Sequence, residues 1–376
     1  MLQKRRYWSA ALLMMIGLGV GGGTSAYSVM KPLETMSRAR ILNQVGELNP
    51  ESKHLTFWLI SDIHLNRPNA VDKCVHALQD LGQAAPDSSA LIVNGDLGDG
   101  HPQDYARVGQ VMQAAPHPSQ VLYTIGNHEF YQAWHNRRGE WSRWTYPNGE
   151  TEQMSVARFV QFTGAKNVYQ DRWIQGYHFI LLGSERYRSS DESILEDAYL
   201  SEDQLKWLEQ TLKDDEVKGL VAKDFIGTRG EKLKEEVRAD SGASVKNQSR
   251  AVKPIFVFIH QPLPNSVSGS GSATYNRGIV QHERLMAILD KYPNVILFSG
   301  HSHWELALPK TVVRKGFTIV NSSSVWEPRN VEGKAKSLTG DASEGLVIEV
   351  QGDHVRVRGR DLQHGKWLEE LDEWVL

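Results

Sequence analysis

After residue 54, short hydrophobic runs rich in β-branched and aromatic residues alternate with longer segments whose apolar positions recur at helical spacing. The first pattern is typical of buried strands and the second of amphipathic helices. The predicted strands are Leu55–Ile60, Ala90–Val93, Gln120–Ile125, Tyr177–Leu182, Pro254–Ile259, Val295–Phe298, Phe317–Val320, Leu346–Val350 and His354–Val357. The predicted helices are Ala70–Leu81, Gln103–Gln113, Glu152–Phe162, Ser201–Leu212 and Val280–Leu289. Because strands and helices alternate, the sequence predicts an α/β fold.

The start of the chain has the pattern of an export signal. A basic cluster at residues 4–6 precedes an uncharged stretch, Tyr7–Met30, whose apolar centre is Ala10–Val20. This order is typical of a secretory signal peptide, and Thr24–Ala26 is a suitable cleavage site. The alternatives are a disordered tail and an uncleaved membrane anchor, although the glycines after Val20 shorten the apolar run that a span requires. As signal or anchor, residues 1–30 predict export to the extracellular space or the outer face of the cytoplasmic membrane.

The rest of the chain is predicted to form one domain. Residues 31–53 are mixed and polar and are predicted to be a linker, and residues 54–376 form the globular domain. Within this domain, residues 226–250 are polar and charged without an apolar period, which indicates a solvated insertion. The alternative for this insertion is a role as a lid or a docking site.

Composition and charge exclude few functions. The chain has 376 residues, of which 42 are basic and 45 acidic, and its net charge is −3. Such a chain has no strong attraction to nucleic acid, so a nuclease acting on polymers is disfavoured, although a local basic groove would escape this argument. Cys74 is the one cysteine of the sequence, so no intramolecular disulfide can form. It lies on the apolar side of a predicted helix and is predicted to be buried.

Several of the predicted strands are followed at once by side chains of the types that bind metals. The segments that carry them are Ser61–His64, Asn94–Asp99, Gly126–Glu129, His260–Pro262 and Gly300–His303. In an open α/β sheet, ligands bind just beyond the carboxyl ends of the strands, so these segments are expected at one rim. Glycines precede Asp96, Asn127 and His301, where they would let the backbone turn sharply and approach ions closely.

Taken in order, these motifs resemble the calcineurin-like metallophosphoesterase family. They read Asp-x-His, Gly-Asp-x-x-Asp, Gly-Asn-His-Glu, His and Gly-His-x-His, and they extend from about Phe57 to His303. The resemblance implies a four-layer α-β-β-α sandwich of two mixed sheets. It also implies a dinuclear metal site at the rim where the strands have their C-terminal ends.

The resemblance assigns the metal ligands by motif position. The first ion would be held by Asp62, His64 and His303, and the second by Asn127, His260 and His301. Asp96 would bridge the two ions, since each oxygen of a carboxylate can bind one of them. This combination of imidazole, carboxylate and amide oxygen suits divalent or trivalent Mn, Fe or Zn ions and argues against Ca.

The resemblance also implies the reaction. Two cations about 3.5–4 Å apart could hold a shared hydroxide, which would attack phosphorus in line. His128 follows Asn127 and would protonate the leaving oxygen or stabilise the charge there, and by analogy with the family Asp99 would orient His128. Asp99 stands where purple acid phosphatases, a related branch, have tyrosine, so a tyrosinate–iron pair is not expected. Glu129 stands where many relatives carry aspartate, and we interpret it as structural.

The predicted partner is therefore a small phosphate ester, either a monoester or a diester. The segment Phe130–Tyr146 is aromatic and basic. It could stack a base or sugar and pair with phosphate through Arg137 or Arg138, or it could be a packed connecting loop. Residues 275–277 form a second candidate wall.

A second functional class stays open at this point. The alternative is an exported metal- or phosphate-binding envelope protein with the same fold and little turnover. Such proteins usually lose one or more ligands, whereas every expected ligand type is present in this sequence. Hydrolysis is therefore the favoured prediction.

Overall fold

The computed structural model describes residues 54–216, 252–271 and 278–376. The predicted signal or anchor at 1–30, the linker at 31–53, the insertion at 226–250 and the wall at 275–277 lie outside these ranges. None of the helices in the described ranges is long and apolar enough to cross a membrane.

The described residues form strands and helices that alternate as expected. The strands are β1 (Leu55–Ile60), β2 (Ala90–Asn94), β3 (Gln120–Thr124), β4 (Gln170–Ile174), β5 (Tyr177–Leu181), β6 (Ile255–Phe258), β7 (Val295–Ser299), β8 (Val312–Lys315), β9 (Phe317–Asn321), β10 (Glu344–Gln351), β11 (His354–Asp361) and β12 (Lys366–Trp374). The helices are α1 (Ala70–Ala84), α2 (Pro102–Ala114), α3 (Glu152–Thr163), α4 (202–216) and α5 (His282–Leu289).

The strands assemble into two mixed sheets of six strands each within the described ranges. The first sheet has the order β12-β11-β10-β1-β2-β3, and the second has the order β4-β5-β6-β7-β9-β8. In the first sheet β1, β2 and β3 are parallel, and in the second β5, β6, β7 and β9 are parallel. The remaining neighbours pair in antiparallel fashion.

Alternation of side chains along the strands divides the core into layers. On β1, Phe57 points between the two sheets, whereas Trp58 packs on the opposite, helix-covered face. Phe57 meets four rings of the second sheet edge-on, at centroid distances of 5.0–6.3 Å: Phe179, Phe256, Phe258 and Phe298. Helices α1, α2 and α3 cover the first sheet, with Cys74 buried as predicted, and α4 and α5 cover the second. These layers confirm the predicted four-layer α-β-β-α sandwich.

Three strands were not predicted, and all of them lie at sheet edges. They are β4, β8 and β12. An edge strand needs no continuous hydrophobic face, and most side chains of β12 are exposed or half-buried, so the pattern is weak there. Helix α5 begins at His282 rather than at the predicted Val280, because Ile279 pairs with Ala198 in a short parallel bridge.

The parallel strands end at a common rim, where hydrogen bonds join the two sheets. The Asn94 side-chain amide at the end of β2 donates to the carbonyl of Ile259 after β6, at 3.2 Å. The backbone N–H of His301 after β7 donates to Asp62 Oδ2 after β1, at 3.1 Å. The loops that carry the predicted ligands are therefore held against one another across the sheets.

Candidate metal centre

Two groups of buried side chains converge at this rim, and Asp96 belongs to both. In the first group the ligand atoms of Asp62, His64, Asp96 and His303 all lie within 4.8 Å of one another. In the second group those of Asp96, His260 and His301 do the same. The structure thus brings six of the sequence-predicted ligands together, in the two sets that the motif positions assign.

The first group surrounds a point between two imidazoles and two carboxylates. His303 Nε2 lies 3.0 Å from Asp62 Oδ1 and 3.1 Å from His64 Nε2. His64 Nε2 in turn lies 3.8 Å from Asp96 Oδ2. Donor atoms at these separations can all reach one cation.

The second group adds the amide oxygen of the seventh predicted ligand. His260 Nε2 lies 3.1 Å from Asp96 Oδ2, and His301 Nδ1 lies 2.9 Å from Asn127 Oδ1. His260 Nε2 is also 3.7 Å from Asp62 Oδ1. The two groups are therefore neighbours, as a dinuclear centre requires.

The chemistry of these side chains fits two transition-metal ions. Asp62 Oδ1 and His260 Nε2 are buried and make no well-aligned hydrogen bond, although His303 Nε2 lies 3.0 Å from the first and Asp96 Oδ2 lies 3.1 Å from the second. Burial of this kind is costly unless a cation satisfies the two atoms. The opposite ring nitrogens are held by carbonyls: His260 Nδ1 lies 2.6 Å from Asn94 O, and His303 Nδ1 lies 3.0 Å from Glu327 O. Such bonds fix the tautomer with Nε2 free to bind a metal.

Two of the imidazoles are held in the neutral form that binds metals. Burial, reinforced by the neighbouring His128, lowers the pKa of His64 well below its usual range. Burial, reinforced by His260, lowers the pKa of His301 to about 3. Neither ring has to lose a proton near neutral pH before a metal ion binds.

The ligand residues occupy an unusual backbone conformation. Five of them have positive φ angles of 41–66°, a region that costs a residue with a side chain about 1–2 kcal/mol. They are Asp62, His64, Asp96, His301 and His303. Strain of this kind persists only where the surrounding structure imposes it, and it concentrates at functional sites.

The glycines beside the ligands make room for carboxylates. A Cβ atom on Gly126 would lie 2.2 Å from Asp96 Oδ1, and one on Gly300 would lie 2.6 Å from Asp62 Oδ2. From the sequence, these glycines were expected to allow sharp turns and close approach to ions. The structure shows that the close approach is to the ligand side chains themselves.

His128 and Asp99, the predicted catalytic pair, lie beside the bridging carboxylate. His128 Nδ1 bonds to Asp99 Oδ1 at 2.9 Å, and His128 Nε2 lies 3.9 Å from Asp96 Oδ2. The His128 side chain is 17% exposed, so its Nε2 can meet a group that enters from solvent. Arg67 also donates to Asp99 Oδ1, at 3.2 Å, and no sequence motif had indicated this arginine.

Glu129 links the two loops on which Asp96 and Asn127 stand. Its buried carboxylate accepts the backbone N–H groups of Asp96, Leu97 and Gly126 at 3.1, 2.7 and 2.6 Å. It therefore supports the ligands from behind, in agreement with its structural interpretation.

Glu196 is a functional residue that sequence reasoning missed. Its Oε2 accepts from the Asn127 side-chain amide and from the Tyr131 hydroxyl, both at 3.0 Å. The bond to the amide nitrogen turns the Asn127 oxygen toward His301, so Glu196 is a positioning residue for a ligand. Glu196 lies in no motif and on no regular element, and the sequence offers no signal for it.

Comparison with known proteins identifies the family of this chain. The sequence model of the calcineurin-like phosphoesterases matches residues 55–305, so the chain belongs to that family. A dimetal phosphatase from Danio rerio has a similar structure, with a TM-score of 0.50 and 12% identity over 85% of this chain and 98% of that one. A purple acid phosphatase from yellow lupin seeds has a TM-score of 0.47 and 13% identity over 85% of this chain and 53% of that one. No curated protein matches the sequence significantly.

Replacing Gly126 with alanine should weaken metal binding, because the added Cβ would lie 2.2 Å from Asp96 Oδ1 and displace the shared carboxylate. Loss of ligand support commonly lowers metal affinity by about 10–100-fold, and we expect a loss in that range. Competition with a chelator measures it. The matched control is Gly109→Ala on α2, where a Cβ meets nothing within 4 Å and affinity should not change. Equal affinities in the two variants would contradict a shared role for Asp96.

Proposed function

We propose that the chain hydrolyses phosphate esters, monoesters or diesters, by attack of water on phosphorus opposite the leaving alcohol. The observation that carries the proposal is that the Asp96 carboxylate belongs to both ligand groups and that His128 lies beside it. Mn, Fe or Zn ions at these groups would activate the water and neutralise the phosphate oxygens. Family membership supports metal-dependent phosphoester hydrolysis in general.

His128 supplies the proton that the leaving oxygen needs. Burial lowers the pKa of His128, but the carboxylates of Asp96 and Asp99 outweigh burial, and the net shift is upward. His128 Nδ1 bonds to Asp99, so Nε2 is the ring nitrogen that is left to donate a proton to the leaving oxygen. Asp99 and Arg67 hold the ring in this orientation.

Replacing His128 with glutamine should cut turnover by about 10²–10⁴-fold for an alkyl phosphate, the usual contribution of a positioned acid. The loss should be smaller for a nitrophenyl phosphate, because nitrophenolate departs readily without a proton. Steady-state kinetics on both substrates, with metal content measured in parallel, test this expectation. Asp99→Asn should give a milder loss with the same dependence on the leaving group.

Two results would oppose this role for His128. Equal losses of turnover on both substrates would show that His128 does not protonate the leaving oxygen. A fall in metal content would show that His128 is a metal ligand. A metal-loaded wild-type protein without turnover on any phosphate ester would instead favour a binding protein of the cell envelope.

We also propose that the enzyme acts outside the cytoplasmic membrane, as the pattern of residues 1–30 supports. After fractionation of cells that express the full chain, phosphatase activity should be found in the extracellular fraction or on the outer face of the cytoplasmic membrane. Intact mass then distinguishes cleavage near Ala26 from a retained anchor. Full-length soluble protein in the cytoplasm would refute both versions.

A further inference from the structure

A pocket of about 410 Å³ lies beside the metal centre, on the side of Asn127 and His128. Its lining residues are Tyr131, Trp134, Trp141, Arg143, Arg188 and Glu196. The Tyr131 ring packs on the His128 ring with centroids 3.8 Å apart, and Glu196 is hydrogen-bonded to Asn127. The pocket therefore adjoins the residue that protonates the leaving group.

Aromatic rings form one wall of this pocket. Trp134 is fixed by its bond from Nε1 to the Tyr187 hydroxyl and by stacking on Tyr146 and Trp141, at centroid distances of 3.8 and 5.0 Å. Trp141 stacks on Trp134 yet remains 48% exposed. A large part of its ring is thus free to contact another planar group, which is how aromatic residues bind bases.

The charged residues of the pocket leave an excess of positive charge. The Glu196 carboxylate is occupied by Asn127, Tyr131 and Tyr187, and Arg188 lies 3.6 Å from it. No hydrogen bond or ion pair of Arg143 is found within the described part of the chain. The pocket therefore has two guanidinium groups and one carboxylate, which already accepts hydrogen bonds from its neighbours, and this balance favours the binding of an anion.

We propose that this pocket binds the leaving group of the substrate, and that the leaving group carries a planar aromatic ring and a second anionic group, as a nucleotide does. This inference rests on the proposed hydrolysis. The P–O bond to the nucleotide breaks, water supplies the new oxygen on phosphorus, and His128 gives its proton to the departing oxygen. Arg137 and Arg138, the arginines that the sequence suggested, lie in an exposed turn and do not line the pocket.

Three substrates separate the contributions of the ring and the anion. Glycerol phosphate has neither feature in its leaving group, a nucleoside 5′-monophosphate has the ring, and a nucleoside 3′,5′-bisphosphate has both whichever phosphate is cleaved. We expect kcat/KM to rise in that order. Stacking of a base on an aromatic residue is worth about tenfold or more in binding, so the step that adds the ring should be of that order.

Variants within one loop provide matched controls. Trp141→Ala should lower kcat/KM about tenfold for both nucleotides and leave glycerol phosphate unchanged. Arg143→Gln should lower it for the bisphosphate alone. Trp144→Ala and Arg138→Gln, which change exposed residues outside the lining, should behave like the wild type.

Similar rates on all three substrates, or equal losses in Trp141→Ala and Trp144→Ala, would overturn the inference. If the metal-loaded wild type hydrolysed none of the substrates, the proposed function would be wrong. Calorimetric titration with the nucleoside bisphosphate would then test binding in the pocket independently of hydrolysis. Binding by the wild type and Trp144→Ala but not by Trp141→Ala supports the pocket. Absence of binding by the wild type overturns it.

Discussion

Carboxylates and imidazoles converge in a buried space where the protein does not provide a well-aligned hydrogen bond for each of their polar atoms, and the rest of the structure depends on this constraint. Asp96 lies at the centre of this arrangement, and its Oδ2 atom is 3.1 Å from His260 Nε2 and 3.8 Å from His64 Nε2. Burying such groups is unfavourable unless cations satisfy them. Cations that satisfy them can also activate water, so the feature that is costly for folding is the one that catalysis requires.

Much of the surrounding structure serves to keep this cluster in place. Left-handed backbone at the ligands is held by bonds that cross between loops, such as the one from the His301 N–H to Asp62 Oδ2. Glu129 fixes the loops of Asp96 and Asn127 through their backbone N–H groups. Glycines leave the space that the carboxylates need. All of these contacts are made between protein groups, so the protein itself positions the ligands.

Local hydrophobic patterns predicted the strands and helices, whereas the layers and the ligand sets followed from the resemblance to the family, whose motifs are short and local. Most of the central strands are hydrophobic throughout, and each ligand follows a predicted strand within a few residues. Edge strands such as β12 lack that pattern, because one side of the strand pairs with no neighbour. Glu196 reaches Asn127 only through the fold, 69 positions away in sequence, so no local pattern reveals it. Which arginines line the pocket depends on loop conformation: the sequence offered Arg137 and Arg138 as candidates for binding phosphate, whereas Arg143 and Arg188 line the pocket.

We infer that Asp96 joins two metal ions at this rim. Elemental analysis of protein reconstituted with Mn, Fe or Zn tests this inference when the wild type is compared with Asp96→Ala. We expect close to two metal ions per chain for the wild type and a large loss of both in the variant. A wild-type content near zero with every metal, or two ions retained without Asp96, would contradict it.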